Sequence, residues 1–434
     1  MHTNVIRRNL TNGARVIMVP RTETEVVLAM VRFGVGSRQE TPDEAGLAHF
    51  LEHMFWKGTA RRPSNALLMR SLVEIGAMYN AFTDKESTGY YVMTEEGFLP
   101  RAIDVLSDIL LNSLFDAQAL EIERTVVLSE LNERNDSSPQ RAYDLLYEAL
   151  YPADPMGRSV GGTRDVVSAL TRAQMLAFRD RNYTPQNMVI TLAGKLDEDH
   201  AMILLDDAFG AFGDADAQAV EFDPTILRPD VGVESPQIVM IQRENIQQAY
   251  VCMGFETFGR DDPRRFALSL LNTIIGGNSI SRLNERIRNE FGLAYSVLSH
   301  ISAQRGTGQF VIWAGLKKDG LKLAVRTMVE ILAELRDGGI TDDDLRVTQS
   351  YIRGSMTLNF DDSSQVATFY GRNELLSGSR MTLDEYAAAL QAVTVEDLNA
   401  VAGDLLRIDR LHLSIVSPFD EDPTPFEPIV VKLG

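Results

Sequence analysis

The chain has one cysteine, two tryptophans and six histidines in 434 residues, and it is short of positive charge, with 42 lysines and arginines against 61 aspartates and glutamates. The lone Cys252 excludes an internal disulfide and a cysteine-rich structural zinc site, and it suits a reducing compartment. No run approaches the roughly 18 apolar residues of a membrane span. The start, Met1 to Arg8, leads into a strand-like segment with no apolar stretch of signal length, which predicts a cytoplasmic protein. A formal charge of −19 argues against nucleic acid and anionic membrane surfaces as partners.

Histidine is scarce, so its one cluster stands out. His49-Phe50-Leu51-Glu52-His53 places two imidazoles one helical turn apart with a carboxylate beside them. Neutral imidazoles at i and i+4 can bind one metal ion from the same helix face, and the glutamate between them can reach a water on that ion. The local sequence predicts a helix. Thr41-Pro42-Asp43-Glu44 offers an N-cap and Lys57-Gly58 a C-terminus, while Leu47, Phe50, Leu51, Met54 and Phe55 form an apolar stripe opposite His49, Glu52, His53 and Trp56.

Two imidazoles hold a catalytic zinc poorly, so a third protein ligand is expected. The other histidines (His2, His200, His300 and His412) are scattered, which leaves a carboxylate. The segment Ala117 to Leu131 reads as helix, and Glu123 and Glu130, seven residues apart, share one of its faces. One of the two can bind metal while the other holds a histidine ring. Glu121 and Glu133 read as an ordinary solvated face.

The order H-x-x-E-H, the interval from Met54 to Ile122, and then Glu123 and Glu130 resemble the insulinase/pitrilysin family of zinc peptidases. The flanking Gly46-Leu47-Ala48 and Met54-Phe55-Trp56-Lys57-Gly58-Thr59 are similar to it as well. The resemblance implies one Zn2+ per chain on His49, His53 and Glu130, with Glu52 as general base and Glu123 supporting a histidine. It also implies that Asn80-Ala81-Phe82-Thr83 is a sheet edge that pairs with the substrate backbone, a mode in which main-chain hydrogen bonds give sequence-tolerant affinity. In Arg288-Asn289-Glu290-Phe291-Gly292-Leu293-Ala294-Tyr295 the family pattern makes Arg288 and Tyr295 donors to the peptide carbonyl and its oxyanion.

A chain of this length exceeds one core and predicts two domains of about 200 residues. The strand-like and helical runs repeat. Ala14 to Pro20, Val26 to Gly34, Met78 to Thr83, Gly89 to Thr94 and Met188 to Gly194 are echoed by Gln237 to Gln242, Ala249 to Phe255, Ala294 to Ile301, Gln309 to Leu316 and Leu411 to Val416. The expected fold class is α+β, with two homologous domains, each a largely antiparallel sheet with helices packed on it. Residues 1–222 are the expected zinc-binding catalytic domain and 237–434 its companion, which carries the Arg-Tyr pair and has no histidine in its helix around Phe266 to Ile275. The join falls in Gly213 to Pro236, rich in Asp and Pro.

Long relatives in the family enclose a chamber between two bowls. Two domains make one bowl of that clamshell, so the resemblance implies a dimer, simplest as a homodimer in which Arg288 and Tyr295 of one subunit complete the zinc site of the other. A heterodimer with a related subunit is the alternative. The expected function is a zinc-dependent endopeptidase acting on short or unfolded peptides. A noncatalytic binding subunit and a purely structural metal are the competing readings.

Overall fold

The computed structural model describes residues 4–152, 154–213, 237–419 and 426; the expected join lies almost entirely outside them. The chain packs into two compact units: Met1–Leu131 with Arg158–Phe222 and Met356–Asp384, and Asn132–Gly157 with Asp223–Ser355 and Glu385–Gly434.

The first unit holds a six-stranded sheet of β1 (Ile6–Asn9), β2 (Arg15–Pro20), β3 (Val26–Phe33), β4 (Met78–Thr83), β5 (Thr88–Glu95) and β6 (Met188–Gly194). Its order is β1-β2-β6-β3-β5-β4, antiparallel except for the β2–β6 pair. The second unit holds β7 (Ile238–Gln242), β8 (Gln248–Thr257), β9 (Ala294–Ala303), β10 (Gly308–Lys317) and β11 (His412–Ser417). Its order is β7-β11-β8-β10-β9, again with one parallel pair, β7–β11. Strand for strand this is the order β2-β6-β3-β5-β4 repeated. The α+β class and the two largely antiparallel sheets are as the sequence predicts, and the duplication extends to topology.

Both faces of the first sheet are covered, which explains why β3 reads as an almost unbroken apolar run. Its alternate residues serve two cores. Val27, Ala29, Val31 and Phe33 join the helices Leu47–Met54 and Leu99–Asn112 on one side. Leu28 and Met30 meet Val366, Ala367 and Tyr370 of the helix Ser363–Leu376 on the other. Each fully buried Val, Leu, Met or Phe among them contributes about 1.5–3 kcal/mol. The second sheet receives the helix Ser138–Leu150 in the same way, through Ala142, Leu145 and Leu146 against Cys252, Val311 and Val416. Each unit thus completes its core with a helix encoded in the other half of the chain. Among the described residues, no helix is long and apolar enough to cross a membrane.

Candidate metal centre

The helix Leu47–Met54 buries Leu47, Phe50, Leu51 and Met54 completely, so the core decides which of its faces turns inward. Phe55, just beyond it, packs edge-on against Tyr90 and Phe115 at ring-centroid distances of 5.3 Å. The opposite side of the helix presents His49, Glu52 and His53. The start of the helix differs from the expected N-cap. Thr41 and Glu44 close a capping box on a separate turn, Pro42–Glu44, and the helix begins after Gly46, whose φ of 93° no side-chain-bearing residue adopts readily.

The helix Ala117–Asp136 runs alongside, anchored by buried Leu120, Val127 and Leu131. Arg124 fastens it further by donating to the carbonyl of Leu170 at 2.8 Å. Its Glu130 side chain is 46% exposed and points a carboxylate oxygen at the imidazoles, 3.9 Å from His49 Nε2 and 3.7 Å from His53 Nε2. The two Nε2 atoms are 3.3 Å apart. One ligand atom from each of the three residues lies within 4.8 Å of the others.

Glu123, two turns earlier on that helix, is buried and accepts hydrogen bonds from His53 Nδ1 at 2.8 Å and from Lys57 Nζ at 2.6 Å. Burial opposes its charge, but these two donors outweigh burial and hold its carboxyl below the ordinary glutamate value. A carboxylate there keeps the proton on Nδ1 and leaves the Nε2 lone pair facing Glu130. Lys57 was legible only as a helix-end residue. Its i+4 spacing from His53 is the signal that could have found its contact with Glu123.

The donor set suits zinc. Bonds of about 2.0–2.2 Å in tetrahedral geometry put ligand atoms roughly 3.3–3.6 Å apart; the 3.3, 3.7 and 3.9 Å separations are close to that spacing. Two neutral imidazoles and one carboxylate leave a fourth position open, the arrangement of a catalytic rather than a structural site.

Glu52 lies on the same side. Burial pushes its carboxyl upward, a hydrogen bond from Thr83 counters part of that, and the negative charge of Glu130 adds to the rise. Thr83 ends β4, which pairs with β5 and forms the edge of the sheet. Tyr79 of this strand packs on Trp56, ring centroids 5.7 Å apart, and Phe82 receives the Arg32 guanidinium over its ring at 4.6 Å. Gly89 makes room for that ring: a Cβ there would stand 2.3 Å from Phe82 Cζ. Asn80 is exposed and accepts the Ala81 amide on its Oδ1 at 2.9 Å.

Arg288 and Tyr295 belong to the second unit. Arg288 is exposed within a π-helical stretch, Asn284–Glu290, a conformation frequent at functional sites. Tyr295, 61% exposed, falls in a bulge: Ser296 pairs with Gly315 and Ala294 with Leu316, leaving it without a cross-strand partner.

The pattern of insulinase (peptidase family M16) matches residues 15–164, and that of the peptidase M16 inactive domain matches residues 169–351. An uncharacterized zinc protease of Mycobacterium tuberculosis is 35% identical over 92% of this chain and 90% of its own.

The chain belongs to the M16 insulinase family.

An uncharacterized zinc protease of Bacillus subtilis is 32% identical over 96% of this M16 chain and 99% of its own length. The mitochondrial-processing peptidase beta subunit of Lentinula edodes is 29% identical over 91% and 85%. The crystal structure of a protease from Helicobacter pylori superposes with a TM-score of 0.89 over 96% of this chain and all of that one, at 22% identity, a likeness of fold. The expected enzyme class, a zinc metallopeptidase, stands with the family.

Proposed function

We propose that this M16 protein is an endopeptidase that hydrolyses short or unfolded peptides inside a chamber formed by two subunits. The observation that carries the reading is the convergence of His49, His53 and Glu130 within 4.8 Å, next to a half-buried Glu52 tied to a sheet edge. His49, His53 and Glu130 would hold one zinc ion per chain, with Glu123 fixing the His53 tautomer. A zinc ion bound there would supply Lewis acidity and lower the pKa of water toward neutrality.

The peptide lies extended along β4, paired with the backbone of Asn80, Ala81, Phe82 and Thr83. Glu52 takes a proton from the attacking water and returns it to the leaving amine. Its burial favours the protonated state it must reach midway, and Thr83 keeps it aimed. Arg288 and Tyr295 supply donors to the developing oxyanion. Their exposure supports delivery to the site of a second copy, and both they and the histidine motif are on this one chain, which favours a homodimer over a heterodimer. A solved chain, the periplasmic protease PqqL from Escherichia coli, matches this whole chain with only 50% of its own length, room for a second such pair of units. The single buried Cys252 supports a cytoplasmic setting.

The test is digestion of a mixed pool of unstructured peptides read by mass spectrometry, with and without chelator, beside Glu52→Gln. Cleavage that stops with chelator and is lost in the variant is the expected result. Zinc binding without cleavage by the wild type would return the chain to a binding role.

A further inference from the structure

Between β3 and the metal-binding helix the chain makes a tight turn, Gly36 to Glu40, that touches two elements at once. At its far end Glu40 is 4% exposed and reaches the first turn of the helix: Oε2 accepts the Gly46 amide at 2.9 Å and Oε1 the Ala48 amide at 2.7 Å. These are helix-terminal amides with no partner inside the helix, and His49 follows directly. At its near end the turn is fastened to the β4–β5 hairpin. Ser37 and Arg38 amides donate to the carbonyls of Asp84 and Lys85 at 3.1 and 2.8 Å. The Arg38 guanidinium meets Glu86 at 3.0 Å, both side chains about 2% exposed or less. A Cβ at Gly36 would stand 2.1 Å from the Asp84 carbonyl oxygen, so the contact requires glycine. The hairpin is stiff in itself, since Asp84 Oδ1 accepts the amides of Glu86 and Ser87 at 2.7 Å. Lys85 donates to the Arg158 carbonyl and Arg158 to the Glu40 carbonyl, closing the loop of contacts.

The turn of the hairpin begins directly after Thr83, which hydrogen-bonds Glu52. Edge strand and metal-binding helix are therefore held to one another through the same short turn. We infer that Glu40 is a positioning residue: capping the helix from a turn fixed to the β4–β5 hairpin, it sets the register of His49, Glu52 and His53 against the strand that receives the peptide. The inference rests on the metallopeptidase reading for its kinetic part, but not for its metal-binding part.

The experiment compares the full-length wild type with Glu40→Ala and Glu40→Gln. Three quantities are read: zinc affinity by chelator competition, kcat and KM on an internally quenched peptide, and melting temperature. Removing the two acceptors should weaken zinc affinity tenfold or more and lower kcat by at least as much, with KM within twofold, as is typical when support behind a metal ligand is lost. Glutamine, which keeps one acceptor oxygen but turns an NH2 donor toward the other amide, should recover only part of both. A folded Glu40→Ala protein that melts lower but keeps zinc affinity and kcat within twofold overturns the inference and leaves Glu40 a structural residue. Should Glu40→Ala not fold, Glu40→Asp withdraws the oxygens from the amides while keeping a carboxyl group, and is judged by the same thresholds. A wild type that binds zinc yet cleaves nothing sinks the peptidase reading while the affinity comparison still decides Glu40; a wild type that binds no zinc sinks both.

Discussion

The Thr83 hydroxyl donates to Glu52 Oε2 at 2.6 Å, so the last residue of the sheet edge holds the carboxylate of the histidine motif. In the proposed mechanism this contact joins two segments with separate jobs, one offering backbone to a peptide and the other a proton acceptor, and threonine at this position would act on the chemistry as well as on strand geometry.

Replacing Thr83 with valine keeps the shape and removes the donor. A hydrogen bond to a charged group contributes about 1.5–3 kcal/mol, so kcat is expected to fall roughly 10- to 100-fold with little change in KM. Steady-state kinetics on one peptide decide it; an unchanged kcat would mean that Thr83 only shapes the strand.

Glu123→Gln leaves His53 Nδ1 and Lys57 without their shared carboxylate. Zinc affinity should drop about 10- to 100-fold while the fold persists. Competition with a calibrated chelator measures this, and an affinity within twofold of wild type would sink the assignment.

Zinc added to chelator-treated protein should raise the melting temperature, because an ion that binds only the folded state stabilises it by RT ln(1 + [L]/Kd), about 2.7 kcal/mol at a hundredfold excess over Kd. His53→Ala should abolish the rise. A rise that survives in the variant would place the ion elsewhere.

Gly89→Ala brings a methyl group against the Phe82 ring and displaces part of the edge strand. KM should increase with zinc affinity unaltered, a separation that tests whether β4 receives the peptide without serving the metal.

Asp108, buried, is bonded by Thr59 at 2.7 Å, Arg61 at 3.0 Å, Asn112 at 3.1 Å and also Arg62, tying the loop after the helix Leu47–Met54 to the helix Leu99–Asn112. Burial alone would raise its carboxyl, but those donors together bring it below the ordinary aspartate value. A depressed folded pKa contributes stability above the unfolded value of about 3.9 and loses it as pH falls through the folded one. Asp108→Asn should therefore cost roughly 1.5–3 kcal/mol near pH 7, because Arg61 and Arg62 keep Asp104 but lose their charged bonds to Asp108, with a gap to wild type that narrows below about pH 4. Denaturant melts across pH 3 to 7 test it; a constant gap would rule out the charged pairing.

The features readable from sequence were those carried by local periodicity. His49 and His53 share a helix face because they are four apart, Glu123 and Glu130 because they are seven apart, and the apolar stripe dictated which face turned inward. The strands announced themselves by composition and by their repetition in the second half. The Glu40 cap gave no such sign, since its partners lie six and eight residues on across a turn whose shape depends on the hairpin beside it. Thr41, which carries the usual capping signature, caps a different turn.

Local sequence was enough to specify the elements: a histidine-bearing helix, a carboxylate-bearing helix, and a duplicated α+β plan. Tertiary structure alone decided which elements meet. The parallel insertion of β6 and β11 into the middle of their sheets depends on pairing across long stretches of chain. So does the assignment of the helices Ser138–Leu150 and Ser363–Leu376 to the sheet from the other half. Amphipathic periodicity states that a face must be buried but not against what, and only the packed chain supplies the partner.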